Sequence, residues 1–199
     1  MEVVLIDSGG ANIGSVRYAL ERLGVNAQLS ADAETITRAE RVILPGVGAA
    51  GAGMARLREL GLVDVVRNLS QPLLGICLGM QLLFESSEEN ETACLGLVPG
   101  RVRKLAAGEG IRVPHMGWNA LQPRRDDALL AGVDTGAQAY FVHSYAAPVS
   151  DDTIATATHG DPFSAVVRRG RCWGAQFHPE RSGHVGARLL ENFLSDRLA

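Results

Sequence analysis

Between Pro72 and Phe84 the chain passes from an apolar run (Pro72 to Ile76) into a helical pattern (Leu78 to Phe84) through Gly75-Ile76-Cys77-Leu78-Gly79. A glycine-flanked pentapeptide at such a junction turns sharply from strand to helix, and the two glycines relieve the crowding that the turn creates. In the serine version of this elbow the central side chain stands exposed at the top of a parallel sheet. Cysteine at the centre moves the expected chemistry to a thiolate at a helix N-terminus, where unpaired N–H groups and the helix dipole favour the anion. A buried structural cysteine is the alternative for any Cys in an apolar segment; the glycine spacing favours the nucleophile.

The rest of the first half fits a parallel sheet. Val3 to Ile6 reads as a buried strand, followed by a loop at Asp7 to Ala11 and a helix through Leu23. Strands follow around Ala27 to Leu29 and Arg41 to Leu44, and Pro45-Gly46 ends the latter. A helix is expected over much of Ala50 to Asn68, broken at Gly61. Alternating strands and helices imply right-handed crossovers and a parallel sheet covered on both faces. The second half carries strand-like pieces at Arg101 to Leu105, Ala139 to His143, Thr153 to Thr158, Ser164 to Arg168 and Cys172 to Gln176, with few helices between them. These predict a smaller antiparallel extension before an amphipathic helix from Val185 to Leu198. The fold class is α/β, one domain over residues 1–199, a length ample for a core.

Function classes narrow from composition. A net charge of −3 without a basic or acidic run points to neither nucleic acid nor an anionic membrane as partner. Three cysteines, Cys77, Cys94 and Cys172, form no disulfide framework, which fits a reducing cytoplasm. No apolar run approaches membrane-spanning length, and the N-terminus enters a strand without a signal-peptide pattern.

A cysteine nucleophile needs a base, and His115, His143, His159, His178 and His184 compete. His178 follows the strand-like Trp173 to Phe177 and precedes Pro179, which ends the strand where a side chain projects from the sheet edge. Glu180 lies two residues on. In extended geometry the carboxylate shares a side with the imidazole and orients one ring nitrogen while the other faces Cys77. The plainer alternative makes His178 a loop residue and Glu180 a solvated charge. Acyl chemistry further needs donors for an oxyanion. The N–H of Leu78 is one candidate; the other is the loop Pro45-Gly46-Val47-Gly48, with the Val47 peptide between glycines that make a flip inexpensive. That loop lacks the Lys and Ser/Thr of a phosphate-binding loop.

Pro45-Gly46-Val47-Gly48, Gly75-Ile76-Cys77-Leu78-Gly79-Met80-Gln81 and Phe177-His178-Pro179-Glu180 fall in the order and spacing of the class I, triad-type glutamine amidotransferases, which the chain resembles over essentially its full length. Asp7 to Asn12, Pro114-His115-Met116-Gly117-Trp118-Asn119, Tyr140 to Tyr145 and His178 to Gly183 are similar to the glutaminase subunits of imidazole glycerol phosphate synthases. The resemblance implies a flavodoxin-like, mainly parallel sheet, and neither cofactor nor metal. It implies that Cys77 attacks the side-chain amide of L-glutamine, that His178 moves protons and that Glu180 orients it. Val47 and Leu78 then supply the oxyanion hole. Gly46, Gln81, Glu89, His143, Ser144 and Tyr145 match substrate-binding positions. A solvated acidic face over Glu85 to Glu91 is the alternative for Glu89.

The resemblance also implies a partner, a (β/α)₈-barrel cyclase subunit that consumes the ammonia. Free ammonia is mostly protonated near neutral pH and no longer nucleophilic, so it must travel sheltered from water. Asn12, Trp118 and Arg181 match positions at or near that subunit interface; core packing is the alternative for Trp118. Two departures stand out. Arg181 replaces a Lys common there, with a different hydrogen-bonding geometry, and Ala146 follows Tyr145 where a second aromatic is common.

Overall fold

The computed structural model describes residues 1–9, 12–195 and 198. In chain order the first half runs β1 (Val3–Ile6), α1 (Ile13–Arg22), β2 (Gln28–Ser30), α2 (Ala33–Arg38), β3 (Arg41–Gly46), α3 (Ala50–Glu59), α4 (Val63–Arg67), β4 (Leu73–Cys77) and α5 (Leu78–Leu82). The second half continues with β5 (Phe84–Ser87), β6 (Thr92–Ala93), β7 (Val98–Lys104), β8 (His115–Ala120), β9 (Gln122–Pro123), β10 (Gln138–His143) and β11 (Tyr145–Ala146). It closes with β12 (Thr153–His159), β13 (Asp161–Arg169), β14 (Cys172–Ala175) and α6 (Gly183–Leu194).

Eight strands form one sheet in the order β2-β1-β3-β4-β14-β13-β12-β9. The pairings from β2 to β14 are parallel, and those from β14 outward are antiparallel. The parallel strands are apolar because both faces are covered: Val3 to Ile6 and Leu73 to Cys77 are buried throughout. One face packs on Val16 and Leu20 of α1 and Leu189 and Phe193 of α6. The other packs on Ile36 of α2, Met54 and Leu57 of α3 and Met80 of α5.

The expected antiparallel extension is mostly the continuation of this sheet. Two smaller sheets accompany it, the ribbon β10-β8 and a four-stranded sheet β11-β7-β5-β6. The break at Gly61 is present: α3 ends at Glu59, Gly61 takes φ +67°, and α4 starts at Val63. Three expectations need correction. The last helix runs from Gly183 to Leu194 and ends before Ser195, whose backbone is extended; Asp196 and Arg197, in the expected helix, lie outside the described residues. The helix after Cys77 spans only Leu78–Leu82, because Phe84 already pairs with Val98. β8 is a strand that the sequence pattern did not announce, since it alternates buried His115 with exposed Met116 and Trp118 and is interrupted by Gly117.

Candidate active site

Cys77 ends β4 with φ 54° and ψ −112°. For a residue with a side chain this backbone costs on the order of 1–3 kcal/mol and persists only where the surroundings enforce it. Here they do. A Cβ on Gly75 would come within 2.7 Å of the Gly79 backbone, and one on Gly79 would overlap the Leu44 carbonyl oxygen. The first turn of α5 is therefore seated directly on β3 and β4, and the turn between must be sharp. With only five residues, α5 offers free N–H groups but little macrodipole, so stabilisation of a thiolate falls mainly to side chains.

His178 is held by backbone as much as by its ring. Its N–H donates to the Tyr140 carbonyl at 2.9 Å, and its own carbonyl accepts from the Ser182 hydroxyl at 2.7 Å. The same hydroxyl accepts from the Tyr140 N–H at 2.9 Å, so β10 fixes the register of the histidine. The imidazole Nδ1 lies 2.8 Å from Glu180 Oε1. Sequence reasoning expected that pairing along an extended segment. It is made instead from a 3₁₀ turn, Pro179–Arg181, which folds the carboxylate back under the ring.

Asn12, read as an interface position, donates to Glu180 Oε1 at 2.6 Å, with its amide nitrogen also 3.3 Å from His178 Nδ1. The side chains of His178 and Glu180 are 8% and 1% exposed, so this is a buried charge pair. Burial opposes the imidazolium, but the nearby Cys77 sulfur and the Glu180 carboxylate outweigh it and push the His178 pKa up to about 10. Burial likewise opposes the Glu180 carboxylate, and His178 and Asn12 overcome it, so its pKa is lowered. The proton therefore belongs to the histidine, the form that pairs with a thiolate.

Cys77 and His178 face one cavity of about 350 Å³. Val47, Leu78, Gln81, Glu89 and the run His143-Ser144-Tyr145 also line it. Gly46, expected at the substrate, does not line this cavity; it is in register with Cys77 across β3 and β4. Glu89 is no solvated charge: its Oε2 accepts from the Ala50 N–H at 2.6 Å, capping α3 while the carboxylate borders the cavity. Gln81 spends its amide hydrogens on the Tyr145 carbonyl (2.8 Å) and Gln176 Oε1 (2.9 Å). His143 is buried, donating from Nδ1 to the Tyr145 carbonyl at 2.8 Å, so it shapes the cavity wall.

Trp118 lies outside the cavity, as does Arg181, which belongs to the Pro179–Arg181 turn. Trp118 is 56% exposed, which excludes core packing. Its ring meets Tyr140 edge-on at 5.7 Å, and the Arg181 guanidinium covers the same Tyr140 ring at 5.1 Å. Sequence reasoning missed Gln176 and Ser182, both fully buried. A signal existed for Gln176, a polar residue inside an apolar run and two positions before His178; none existed for Ser182.

A parallel sheet with a strained cysteine elbow and a buried His-Glu pair over one cavity defines a triad-type amidotransferase. The chain belongs to the family of class-I glutamine amidotransferases, whose family model matches residues 4–196. Within that family it is 64% identical over 193 residues to the imidazole glycerol phosphate synthase subunit HisH of Xanthomonas axonopodis pv. citri, covering 97% of this chain and 96% of that protein. It is 60% identical over the same length to the subunit of that name from Xylella fastidiosa (strain Temecula1), with the same coverage. Among solved structures, a glutamine amidotransferase crystal structure superposes with a TM-score of 0.75 at 24% identity, covering 96% of each chain. PurLQS from Thermotoga maritima gives 0.74 at 18%, covering 97% of each, and both show the shared fold.

Proposed function

We propose that this chain is the glutaminase subunit of an imidazole glycerol phosphate synthase, making ammonia for a cyclase subunit in histidine biosynthesis. The observation that carries the reading is the convergence of Cys77, at its positive-φ elbow, with the His178–Glu180 pair on a cavity sized for one amino acid. The Cys77 thiolate attacks the side-chain carbonyl carbon of L-glutamine, forming the S–C bond. The negative charge moves to the carbonyl oxygen, where the Leu78 and Val47 N–H groups are the donors. Collapse breaks the C–N bond as His178 gives its proton to the departing ammonia. Water, deprotonated by His178, then hydrolyses the thioester to glutamate. Glu180 and Asn12 hold the ring throughout.

Within the cavity, Glu89 faces the substrate's α-amino group, the His143–Tyr145 segment its α-carboxylate end, and Gln81 completes the wall. The partner is a (β/α)₈-barrel cyclase that docks over the exposed Trp118, Met116 and Arg181 beside the histidine turn. Tyr140 supports this reading, because Trp118 meets its ring edge-on, Arg181 covers the same ring, and its backbone bonds to His178 and Ser182. Among the described residues no helix is long and apolar enough to cross a membrane, and three cysteines outside any disulfide support a reducing cytoplasm as the setting of the reaction.

The test is glutamate release with and without a cyclase subunit and its nucleotide ligand. Weak turnover alone and strong stimulation in the complex are expected, and Cys77→Ala abolishes both. Unchanged hydrolysis in that variant would remove the mechanism, and equal turnover with and without the partner would remove the coupling.

A further inference from the structure

Beside Cys77 runs a row of polar side chains, most of them buried, whose hydrogen bonds to one another the reaction above does not use. Gln176, fully buried, places Nε2 3.8 Å from the Cys77 sulfur. Its Oε1 accepts from Gln81 Nε2 at 2.9 Å, and Gln81 Nε2 donates also to the Tyr145 carbonyl at 2.8 Å. The second lone pair of that carbonyl takes His143 Nδ1 at 2.8 Å. His143 Nε2 lies 3.0 Å from His115 Nδ1, and His115 Nε2 lies 3.3 Å from the Asn119 amide, which donates also to the Thr158 carbonyl at 2.8 Å.

The direction of every bond in this row is fixed by the backbone carbonyl of Tyr145, which only accepts. Gln81 must therefore turn its NH₂ toward Tyr145, and that same NH₂ faces Gln176. Gln176 must answer with its oxygen, which leaves its own NH₂ for the sulfur. The histidine side reads the same way. His143 carries its proton on Nδ1, so its Nε2 is bare and takes the Nδ1 proton of His115, whose Nε2 is then free for Asn119. Burial holds both rings neutral, with pKa values lowered to about 3 for His143 and about 4 for His115, so the pattern does not reverse near neutral pH.

We propose that Gln176 is a catalytic residue, its amide donating to the Cys77 sulfur and stabilising the thiolate, while Gln81, oriented by the Tyr145 carbonyl, is a positioning residue that holds its donor end toward the sulfur. The inference rests on Cys77 being the nucleophile. In the neutral state the thiol can point its hydrogen at the Val142 carbonyl, 3.9 Å away. On ionisation the sulfur becomes an acceptor, and Gln176 already presents an N–H without rearrangement. Because α5 is short, this donor adds to the His178 imidazolium in favouring the anion.

Alkylation of Cys77 by iodoacetamide, followed against pH without glutamine or partner, tests this apart from the glutaminase reading. Cys94 and Cys172 are buried with pKa values raised to about 11 and about 12, so the signal belongs to Cys77. Gln176→Met fills similar space, adds no charge and removes the donor at the sulfur. Its alkylation midpoint is expected to move up by about one pH unit, the size of one lost hydrogen bond to a charged group. If that variant fails to fold, Gln81→Met carries the test: Gln176 stays but its orientation is released, and a smaller upward shift is expected. A midpoint unmoved in a folded variant overturns the proposal, as does lost turnover without a shift. Failure of the wild-type protein to hydrolyse glutamine would bear on its function alone.

Discussion

Replacing Glu180 by Gln changes charge and almost nothing in size. In the native arrangement Oε1 serves both His178 Nδ1, at 2.8 Å, and Asn12, at 2.6 Å, in a side chain 1% exposed. A hydrogen bond to a charged acceptor contributes about 1.5–3 kcal/mol against about 0.5–1.5 for a neutral one. The substitution therefore removes roughly 1–2 kcal/mol from the imidazolium, lowering its titration by about one pH unit. Turnover in the complex should fall about 5- to 30-fold through loss of the same stabilisation in the transition state.

Thermal unfolding against pH gives a second readout of this pair. His178 has a folded pKa raised to about 10 above an ordinary value of 6.5, so its contribution is fully present below 6.5 and is lost as pH rises toward 10. Glu180, with a lowered pKa, contributes above its ordinary value of 4.5 and loses that contribution as pH falls through the folded value. Gln at position 180 should flatten the alkaline loss. Wild-type turnover and an unchanged alkaline unfolding profile in Glu180→Gln would refute the reasoning, because an indifferent His178 cannot be the base that this carboxylate orients.

Asn12→Ala removes the amide that shares Glu180 Oε1, so kcat should fall several-fold with little change in KM; a rise in KM alone would assign Asn12 to substrate instead. Gly79→Ala drives a methyl into the Leu44 carbonyl and should lower stability by about 3 kcal/mol or abolish folding; equilibrium denaturation within 1 kcal/mol of wild type would show that α5 can lift off β3. His115 and His143 bind protons more weakly folded than unfolded, so stability should decline as pH falls below 6.5 toward 4, by about 2–4 °C in Tm per kcal/mol lost. A Tm flat over that window would mean that the two rings are solvated.

The sequence by itself determined the parallel half of the sheet, the elbow and the identity of the chemical groups. Buried parallel strands are continuous apolar runs, and a nucleophile elbow needs small residues at fixed offsets, so both leave local traces. Cys77, His178 and Glu180 were legible because each sits in a short motif whose spacing has a mechanical reason. Strand β8 was not, although its partner β10 was, because a half-exposed, glycine-broken strand resembles a loop until Trp118 pairs with Tyr140. Only the tertiary structure could decide what brings groups 100 residues apart into contact. It turned Glu180 under the imidazole from a 3₁₀ turn rather than a strand, brought Asn12, just before α1, onto that carboxylate, and set Gln176 beside the sulfur. Those are long-range hydrogen bonds, fixed by how sheet and helices pack, and no local pattern of residues encodes them.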